Sequence, residues 1–283
     1  MKAFHSFWSA PNRARHGGKI VLADYELLTM MLSALMWRRH SGEIRMAADA
    51  AGKAYLERAG LGALWSEPID ASLERLDVDP VRFWAAGKLE ALRRSAAPCV
   101  MLDTDLILWK SVTSRLTDCV VAAHREELSE EAYPAPADAF TLDEDYVFPP
   151  DWDFTQKPAN TAFLYLPCEE LRRVYTHEAF RFMRALRDER RGCVATMCFA
   201  EQRILPMCAD ACGVAVRTLL DERAPDEQSF VTHLWGGKRA LEQDPGQRVA
   251  YCLQCTLRLM TDFPEWEGVL AANEQTRVYL ESL

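Results

Sequence analysis

Residues 98–110, PCVMLDTDLILWK, constrain the fold of this chain more than any other stretch. Positions 99–102 form an apolar run without a polar face, which is typical of a central strand buried on both sides. Asp103 and Asp105 follow at once, and a second apolar run begins at Leu106. Alternation places both carboxylates on one side of the chain or on the turn that ends the strand.

Two carboxylates held this close need a partner, because they repel each other and because carboxylates are rarely buried alone. A divalent cation that takes oxygen ligands removes the conflict. We therefore predict that Asp103 and Asp105 hold Mn²⁺ or Mg²⁺ and that the ion holds a diphosphate. The simpler alternative is a solvated turn after a strand, where aspartate is common.

Residues 233–238, HLWGGK, are a second feature that indicates a phosphate site. Gly236 and Gly237 let the backbone pass close to a ligand, and Lys238 supplies a charge suited to phosphate. His233 qualifies as a third metal ligand because Mn²⁺ accepts imidazole. The alternative is a histidine at a strand end beside an ordinary glycine turn.

The composition indicates a folded protein with ample core, since 49% of residues are hydrophobic and 27% are charged. A net charge of −9 argues against broad binding of nucleic acid or anionic membranes. No stretch approaches the ~20 apolar residues of a transmembrane segment, and the first residues lack the apolar core of a signal peptide. We expect a cytoplasmic protein that reaches any membrane through partners.

The nine cysteines are predicted to be buried structural thiols. Their odd number and the missing signal peptide argue against a disulfide framework. Cys252 and Cys255, like Cys208 and Cys212, fall in predicted helices, where their spacing shares one face. A zinc site is the less favoured alternative.

Predicted strands and helices alternate up to the first aspartate. Strands are predicted over residues 2–9 and 43–48, separated by a helix from residue 24 to about 39. Such alternation predicts an α/β fold with a mixed, mostly parallel central sheet flanked by helices. Ligands of such sheets bind at the carboxyl ends of the strands, so both strand ends and Asp103 should share one edge.

Four short motifs, in this order, resemble the GT-A-type, nucleotide-sugar-dependent glycosyltransferases. They are D-T-D at 103–105, N-T-A at 160–162, E-Q-R-I-L at 201–205 and H-L-W-G-G-K at 233–238. The order is most similar to the retaining branch that includes glycogenin and bacterial lipopolysaccharide galactosyl- and glucosyltransferases. That branch carries a D-x-D, an F-N-x-G/A strand, a D-Q helix start and an H-x-x-G-x-x-K loop.

The resemblance implies a single GT-A-like (Rossmann-like) transferase domain over residues 1–240. It leaves residues 241–283 as a C-terminal helical extension packed on that domain. Residues 129–157 are acidic and rich in proline, which predicts an irregular insertion.

The resemblance also implies a role for each matching residue. Asp103, Asp105 and His233 would ligate the metal that bridges the donor diphosphate. The donor-binding residues would be Ser6, Asp49, Asp103, Gly236, Gly237 and Lys238. The residues at the reacting sugar would be Asn160, Glu201 and Gln202.

The sequence departs from the family pattern at three motifs. Lys238 lies two positions after Gly236 where the main spacing is three, unless Gly237 is the glycine that counts. Glu201 replaces aspartate, and the N-x-G strand reads N-T-A. Retention or inversion at the transferred sugar therefore stays open.

The function implied is a metal-dependent hexosyltransferase that uses a nucleoside-diphosphate sugar, with a UDP-sugar favoured. Its acceptor would be a glycan, a lipid-linked molecule or another hydroxyl compound, with bacterial polysaccharide biosynthesis as the setting. One alternative is a haloacid-dehalogenase-type phosphatase, whose first aspartate is a nucleophile, although that motif usually lies near the N-terminus. The other is a catalytically inactive interaction module of the same fold.

Overall fold

The computed structural model describes residues 1–74, 76–220, 230–234 and 236–283. Trp235 of the HLWGGK motif lies outside the described residues. Strands within these ranges are β1 (Ala3–Phe7), β2 (Ile44–Ala48), β3 (Cys99–Leu102), β4 (Leu106–Leu108), β5 (Val120–Ala122), β6 (Phe140–Leu142), β7 (Phe163–Leu166), β8 (Leu186–Glu189), β9 (Val216–Thr218) and β10 (Val231–His233).

Helices surround these strands. They are α1 (Ala10–Arg15), α2 (Asp24–His40), α3 (Ala50–Arg58), α4 (Ala86–Arg94), α5 (Pro136–Ala139), α6 (Glu169–Ala185), α7 (Cys193–Cys198), α8 (Ile204–Ala211), α9 (Lys238–Gln243), α10 (Pro245–Asp262), α11 (Glu267–Ala272) and α12 (Glu274–Leu280). A π-helical turn, Phe199–Arg203, joins α7 to α8, and 3₁₀ turns cover Gly62–Leu64, Thr113–Arg115 and Pro264–Trp266.

The central sheet has the strand order β2-β1-β3-β7-β5-β9. Strand β1 is parallel to β2 and to β3, and β9 is parallel to β5. Strand β7 runs antiparallel to both of its neighbours, β3 and β5. The described sheet is therefore mixed and mostly parallel, and the predicted α/β class is confirmed.

The apolar run before the first aspartate is buried because helices cover both faces of β3. Val100 and Leu102 belong to a hydrophobic cluster that includes α2 and α10. Cys99 and Met101 belong to a second cluster that includes α4, α6 and α8. A strand covered on both faces needs apolar residues at every position, which accounts for the lack of alternation in the sequence.

Helix α2 packs against β4, the strand that follows the D-T-D turn. Thirteen of its seventeen residues are buried, since it packs against β4, α10 and α12. Asp24, at its first turn, accepts a 2.8 Å hydrogen bond from Arg248 of α10 and another from the hydroxyl of Tyr279 of α12. The C-terminal helices are thus tied to α2, and a domain boundary at residue 240 stays a prediction.

The insertion over residues 129–157 is more ordered than the sequence predicts. It contains α5 and β6, and β6 pairs with β8 in a separate two-stranded sheet. Phe148 and Phe154 lie 5.7 and 6.4 Å from Phe199 between ring centroids. The insertion packs on the π-helical turn because aromatic residues are spread among its acidic ones.

Within the described ranges, no helix combines the length and apolar character that a membrane crossing requires.

Candidate active site

The D-T-D segment forms a tight turn between β3 and β4. The backbone N–H of Asp103 donates to the carbonyl of Ala162 at 2.7 Å, which ties this turn to the start of β7. The N–H of Leu106 donates to the carbonyl of Asp103 at 3.2 Å and closes the turn. Both aspartates line one cleft at the carboxyl edge of the sheet, with a volume of about 510 Å³. A cleft of this size accommodates a nucleotide-sized ligand.

His233 reaches the aspartates through the pairing of β10 with β4. The two strands are antiparallel, with His233 opposite Leu106, and the N–H of Leu234 donates to the carbonyl of Asp105 at 3.2 Å. Ligand atoms of Asp103, Asp105 and His233 lie within 4.8 Å of one another. The structure thus brings together the three predicted metal ligands.

The chemistry of this set fits a divalent cation. Burial, partly opposed by Asp105, lowers the pKa of His233 to about 4, so its imidazole is neutral and offers a lone pair. Burial raises the pKa of Asp103, and so do the nearby carboxylates of Asp105 and Glu201, although Lys88 opposes them. Four carboxylates, those of Glu26, Asp103, Asp105 and Glu201, line the cleft with two lysines, and a bound cation would balance part of the remaining negative charge.

Lys88, from the first turn of α4, joins two of these carboxylates. Its Nζ lies 2.6 Å from Oδ1 of Asp103 and 2.5 Å from Oε1 of Glu201. Burial disfavours its charge, but the two carboxylates outweigh burial and raise the pKa of Lys88. A buried lysine held charged in this way fixes the relative positions of the β3 turn and the π-helical turn.

Lys238, the first residue of α9, contacts the other aspartate. Its Nζ lies 2.6 Å from Oδ2 of Asp105. Burial raises the pKa of Asp105, but the ammonium group of Lys238 outweighs burial and lowers it. Asp105 therefore stays ionised, as a metal ligand must.

Glu201 and Gln202 occupy the π-helical turn, and both line the cleft. The carboxylate of Glu201 accepts hydrogen bonds from Lys88 and from the hydroxyl of Thr161. The side-chain oxygen of Gln202 accepts a 2.5 Å hydrogen bond from the hydroxyl of Tyr133. Such π-helical turns are frequent at functional sites, because the extra residue changes which side chains face a neighbouring surface.

Asn160 also lines the cleft, and both ends of its amide are engaged. Its Oδ1 accepts from the N–H of Ala162 at 3.0 Å, and its Nδ2 donates to Glu126 at 2.9 Å. His124 lies 3.0 Å from the same Glu126 oxygen. Burial raises the pKa of Glu126, but these hydrogen bonds outweigh it and lower the pKa, so Glu126 holds Asn160 as an ionised acceptor.

The remaining predicted donor-binding residues fall in two groups. Ser6, at the carboxyl end of β1, lines the cleft. Gly236 and Gly237 precede α9 and, among the described residues, do not line it. Asp49 lies outside the described cleft wall and caps α3, where it accepts from Gly52 N at 2.8 Å and from the hydroxyl of Ser9 at 2.8 Å.

Sequence reasoning did not identify Lys88, Thr161, Tyr133 or Glu126. The sequence contains one weak sign of Lys88. It lies between two short segments of mainly small or apolar residues, A-A-G before it and L-E-A-L after it, and these segments are buried. The other three lie in loops or at a strand start, and their roles depend on contacts between segments far apart in sequence.

Comparison with known proteins gives a family and several similar structures. No curated protein sequence matches the chain. One similar solved structure is the galactosyltransferase LgtC with donor and acceptor sugar analogues, at 13% identity, TM-score 0.39, 77% of this chain and 73% of that one. Another is the apo bifunctional glycosyltransferase WbbM, at 12% identity, TM-score 0.42, 77% of this chain and 38% of that one. A third is an active-site mutant of LgtC, at 12% identity, TM-score 0.35 and 70% of each chain.

A family model described as a family of unknown function, DUF6734, matches residues 1–235, which include the cleft residues from Ser6 to His233. The match covers most of the sequence, and the chain belongs to this family.

Proposed function

We propose that this protein is a metal-dependent glycosyltransferase that moves a hexose from a nucleoside-diphosphate sugar to a hydroxyl group. A UDP-sugar is the favoured donor, and a glycan or lipid-linked molecule is the favoured acceptor. The observation that carries the proposal is the set of Asp103, Asp105 and His233, whose ligand atoms lie within 4.8 Å of one another. Lys88 and Lys238 flank this set in one cleft. Neither the phosphatase nor the inactive module is favoured by the site or by the comparisons.

Asp103, Asp105 and His233 would hold Mn²⁺ or Mg²⁺. The neutral imidazole favours Mn²⁺, because Mg²⁺ prefers oxygen ligands alone. When bound, such an ion supplies positive charge that stabilises a leaving diphosphate.

Lys238 would neutralise the same leaving group. Its ammonium group contacts Asp105 at 2.6 Å, on the cleft wall. A diphosphate brought beside Asp105 comes within reach of this charge, and a lysine held in a low-dielectric cleft stabilises developing negative charge strongly.

The transfer exchanges one carbon–oxygen bond for another. The bond from the anomeric carbon to the diphosphate oxygen breaks, and its electron pair leaves with the nucleoside diphosphate. The acceptor hydroxyl oxygen bonds to the anomeric carbon, and its proton passes to a base or to solvent. Lys88 and Thr161 fix the Glu201 carboxylate, which favours a role for Glu201 as a fixed negative charge beside the positively charged sugar transition state.

The test is a thermal-shift screen with UDP, GDP, ADP and CMP, each with Mn²⁺ and with EDTA. A ligand that binds only the folded state raises the melting temperature. We expect one nucleotide to do so in Mn²⁺ and not in EDTA, and we expect Asp105→Asn to abolish the effect. Asp118→Asn, which changes an exposed aspartate outside the cleft, is the control and should behave as wild type. A well-folded protein that responds to none of the four nucleotides would contradict the proposal.

A further inference from the structure

One part of the cleft wall is apolar, in contrast to the charged floor. It consists of Trp8 after β1, Trp84 before α4 and Val194 in α7. The two tryptophans are half-buried, and Val194 is 49% exposed although it is a large apolar residue. Apolar surface left open beside a charged site is the usual composition of a ligand-binding wall.

The two indoles of this wall lack the hydrogen-bond or ring partners that four of the other five described tryptophans have. Trp37, Trp65 and Trp109 each donate their indole N–H to an oxygen or nitrogen within the protein. Among the described residues, Trp8 and Trp84 make neither such a hydrogen bond nor a ring–ring contact. Because neither indole is engaged within the protein, both rings and both N–H groups in this cleft are available to a ligand.

The two tryptophans of the apolar wall lie near Lys88 in the chain or in space. Asp105 contacts Lys238, whereas Asp103 contacts Lys88, so each lysine is paired with a different aspartate. Trp84 lies four residues before Lys88, and a Cβ built at Gly87 would be 2.4 Å from Cβ of Trp8. A donor with its diphosphate near Lys238 and its sugar near Lys88 would have the apolar wall beside that sugar.

We propose that Trp84, together with Trp8 and Val194, forms an acceptor subsite for a pyranose ring, an inference that rests on the proposed transferase function. A pyranose presents an apolar C–H face and a rim of hydroxyl groups. The indole of Trp84 offers a flat apolar face and a free N–H, and the carboxylates of the same cleft can accept hydroxyl hydrogens. The acceptor class is thus a carbohydrate, rather than an alkyl alcohol or a peptide side chain.

The experiment compares Trp84→Ala and Trp84→Phe with wild type in the full chain. Trp109→Ala is the matched control, because Trp109 is also half-buried. Unlike Trp84, it lies outside the cleft, and its indole N–H donates a hydrogen bond to Thr232. Three properties are measured: Mn²⁺-dependent nucleotide binding, hydrolysis of the donor by water, and transfer to acceptors. The acceptors are p-nitrophenyl pyranosides of glucose, galactose, mannose and N-acetylglucosamine, with octanol and a serine-containing peptide for comparison.

We expect the wild-type protein to transfer the sugar to at least one pyranoside. In Trp84→Ala, kcat/KM for that acceptor should fall by at least about ten-fold, mainly because KM rises. Trp84→Phe should retain kcat/KM within about three-fold, because a phenyl ring still stacks. Donor hydrolysis and nucleotide binding should be unchanged in both variants, and Trp109→Ala should match wild type throughout.

Unchanged pyranoside transfer in Trp84→Ala overturns the subsite. So does donor hydrolysis without transfer to any pyranoside, or transfer to octanol or the peptide alone. In each of these cases Mn²⁺-dependent nucleotide binding persists, and the proposed transferase function stands. If the wild-type protein shows no Mn²⁺-dependent nucleotide binding, the proposed transferase function is overturned, and the subsite with it.

Discussion

Lys88 is the residue on which the geometry of the site depends most directly, because it joins carboxylates from two separate elements. Asp103 belongs to the turn after β3, and Glu201 belongs to the π-helical turn. Removing one partner of a buried ion pair leaves uncompensated charge, which is far more costly than losing a surface pair.

We predict that Lys88→Met destabilises the protein by about 3–5 kcal/mol and abolishes transfer. Lys88→Arg keeps the charge and should lose less stability. Lys53→Met is the control, since Lys53 is paired with Glu57 at 3.9 Å on the surface and its loss should cost about 0–1 kcal/mol. Urea unfolding measures the three free energies. An equal decrease in the free energy of unfolding for Lys88→Met and Lys53→Met would show that the buried ion pairs of Lys88 do not stabilise the fold more than a surface pair does.

At this scale the sequence predicts the aspartates but not their partners. Asp103 and Asp105 are recognisable because they interrupt an apolar run, and His233 because it precedes two glycines and a lysine. Lys88 is not recognisable, since a lysine in the first turn of a helix is usually solvated and only the packing of α4 on β1 places it against Asp103.

Among the elements, β1, α2 and β4 are joined behind the site by a buried histidine. Nδ1 of His5 accepts from the indole of Trp65 at 3.2 Å, so Nε2 carries the hydrogen and donates to Ser33 at 3.1 Å. Ser33 donates in turn to the carbonyl of Leu106 at 2.6 Å. This chain of hydrogen bonds requires a neutral imidazole.

The stability of the protein should therefore fall in mild acid. Burial, only partly opposed by Asp105, lowers the pKa of His5 from 6.5 to about 3, so below pH 6.5 the unfolded chain binds a proton that the folded chain does not. The free energy of unfolding should decrease with falling pH, with a slope from His5 that approaches about 1.4 kcal/mol per pH unit. Urea unfolding between pH 7 and pH 4 measures the slope, and His5→Asn should have a smaller one. The same slope in both proteins would contradict this assignment.

Helix α4 depends on a close approach to β1 at Gly87. A Cβ added there would lie 2.4 Å from Cβ of Trp8, which cannot rotate away. Replacing glycine by alanine inside a helix ordinarily stabilises it by up to about 1 kcal/mol. At Gly87 the clash outweighs that gain.

We predict that Gly87→Ala destabilises the protein by about 1–3 kcal/mol and weakens transfer, since it displaces Lys88 and Trp84. Gly268→Ala is the matched control, because Gly268 lies in α11 with no atom within 4 Å of the added Cβ. That variant should be neutral or more stable. Thermal unfolding of both variants measures the difference, and a stabilising Gly87→Ala would be incompatible with the described packing.

For the whole molecule, the sequence predicts the class of fold better than its topology. Alternating strands and helices indicate an α/β sheet, because that pattern reflects which segments are buried. The reversal of β7 and the pairing of β4 with β10 were not predictable, since both join segments distant in sequence. The insertion is predicted to be irregular because it is acidic and rich in proline. Its aromatic residues, which pack on Phe199, form no periodic pattern that would indicate this packing.

The C-terminal helices are predicted to be required for folding. Helix α2 is apolar on most sides, and α10 and α12 cover it. Deleting residues 245–283 would expose that surface, so we expect aggregation or loss of cooperative thermal unfolding. Deleting only the exposed residues 281–283 is the control and should leave unfolding unchanged. A soluble, cooperatively unfolding truncated protein would contradict this prediction.

The pairing of β10 with β4 has a consequence for how this family can diverge. His233 faces the aspartates because it lies opposite Leu106 in an antiparallel register. A strand presents alternate side chains to opposite faces, so the loss or gain of one residue within β10 would turn His233 away from Asp105. Substitutions at Val231 and Thr232 are compatible with the site, but a change in the number of residues is not. Relatives that keep this chemistry should therefore vary in composition along β10 while keeping its length.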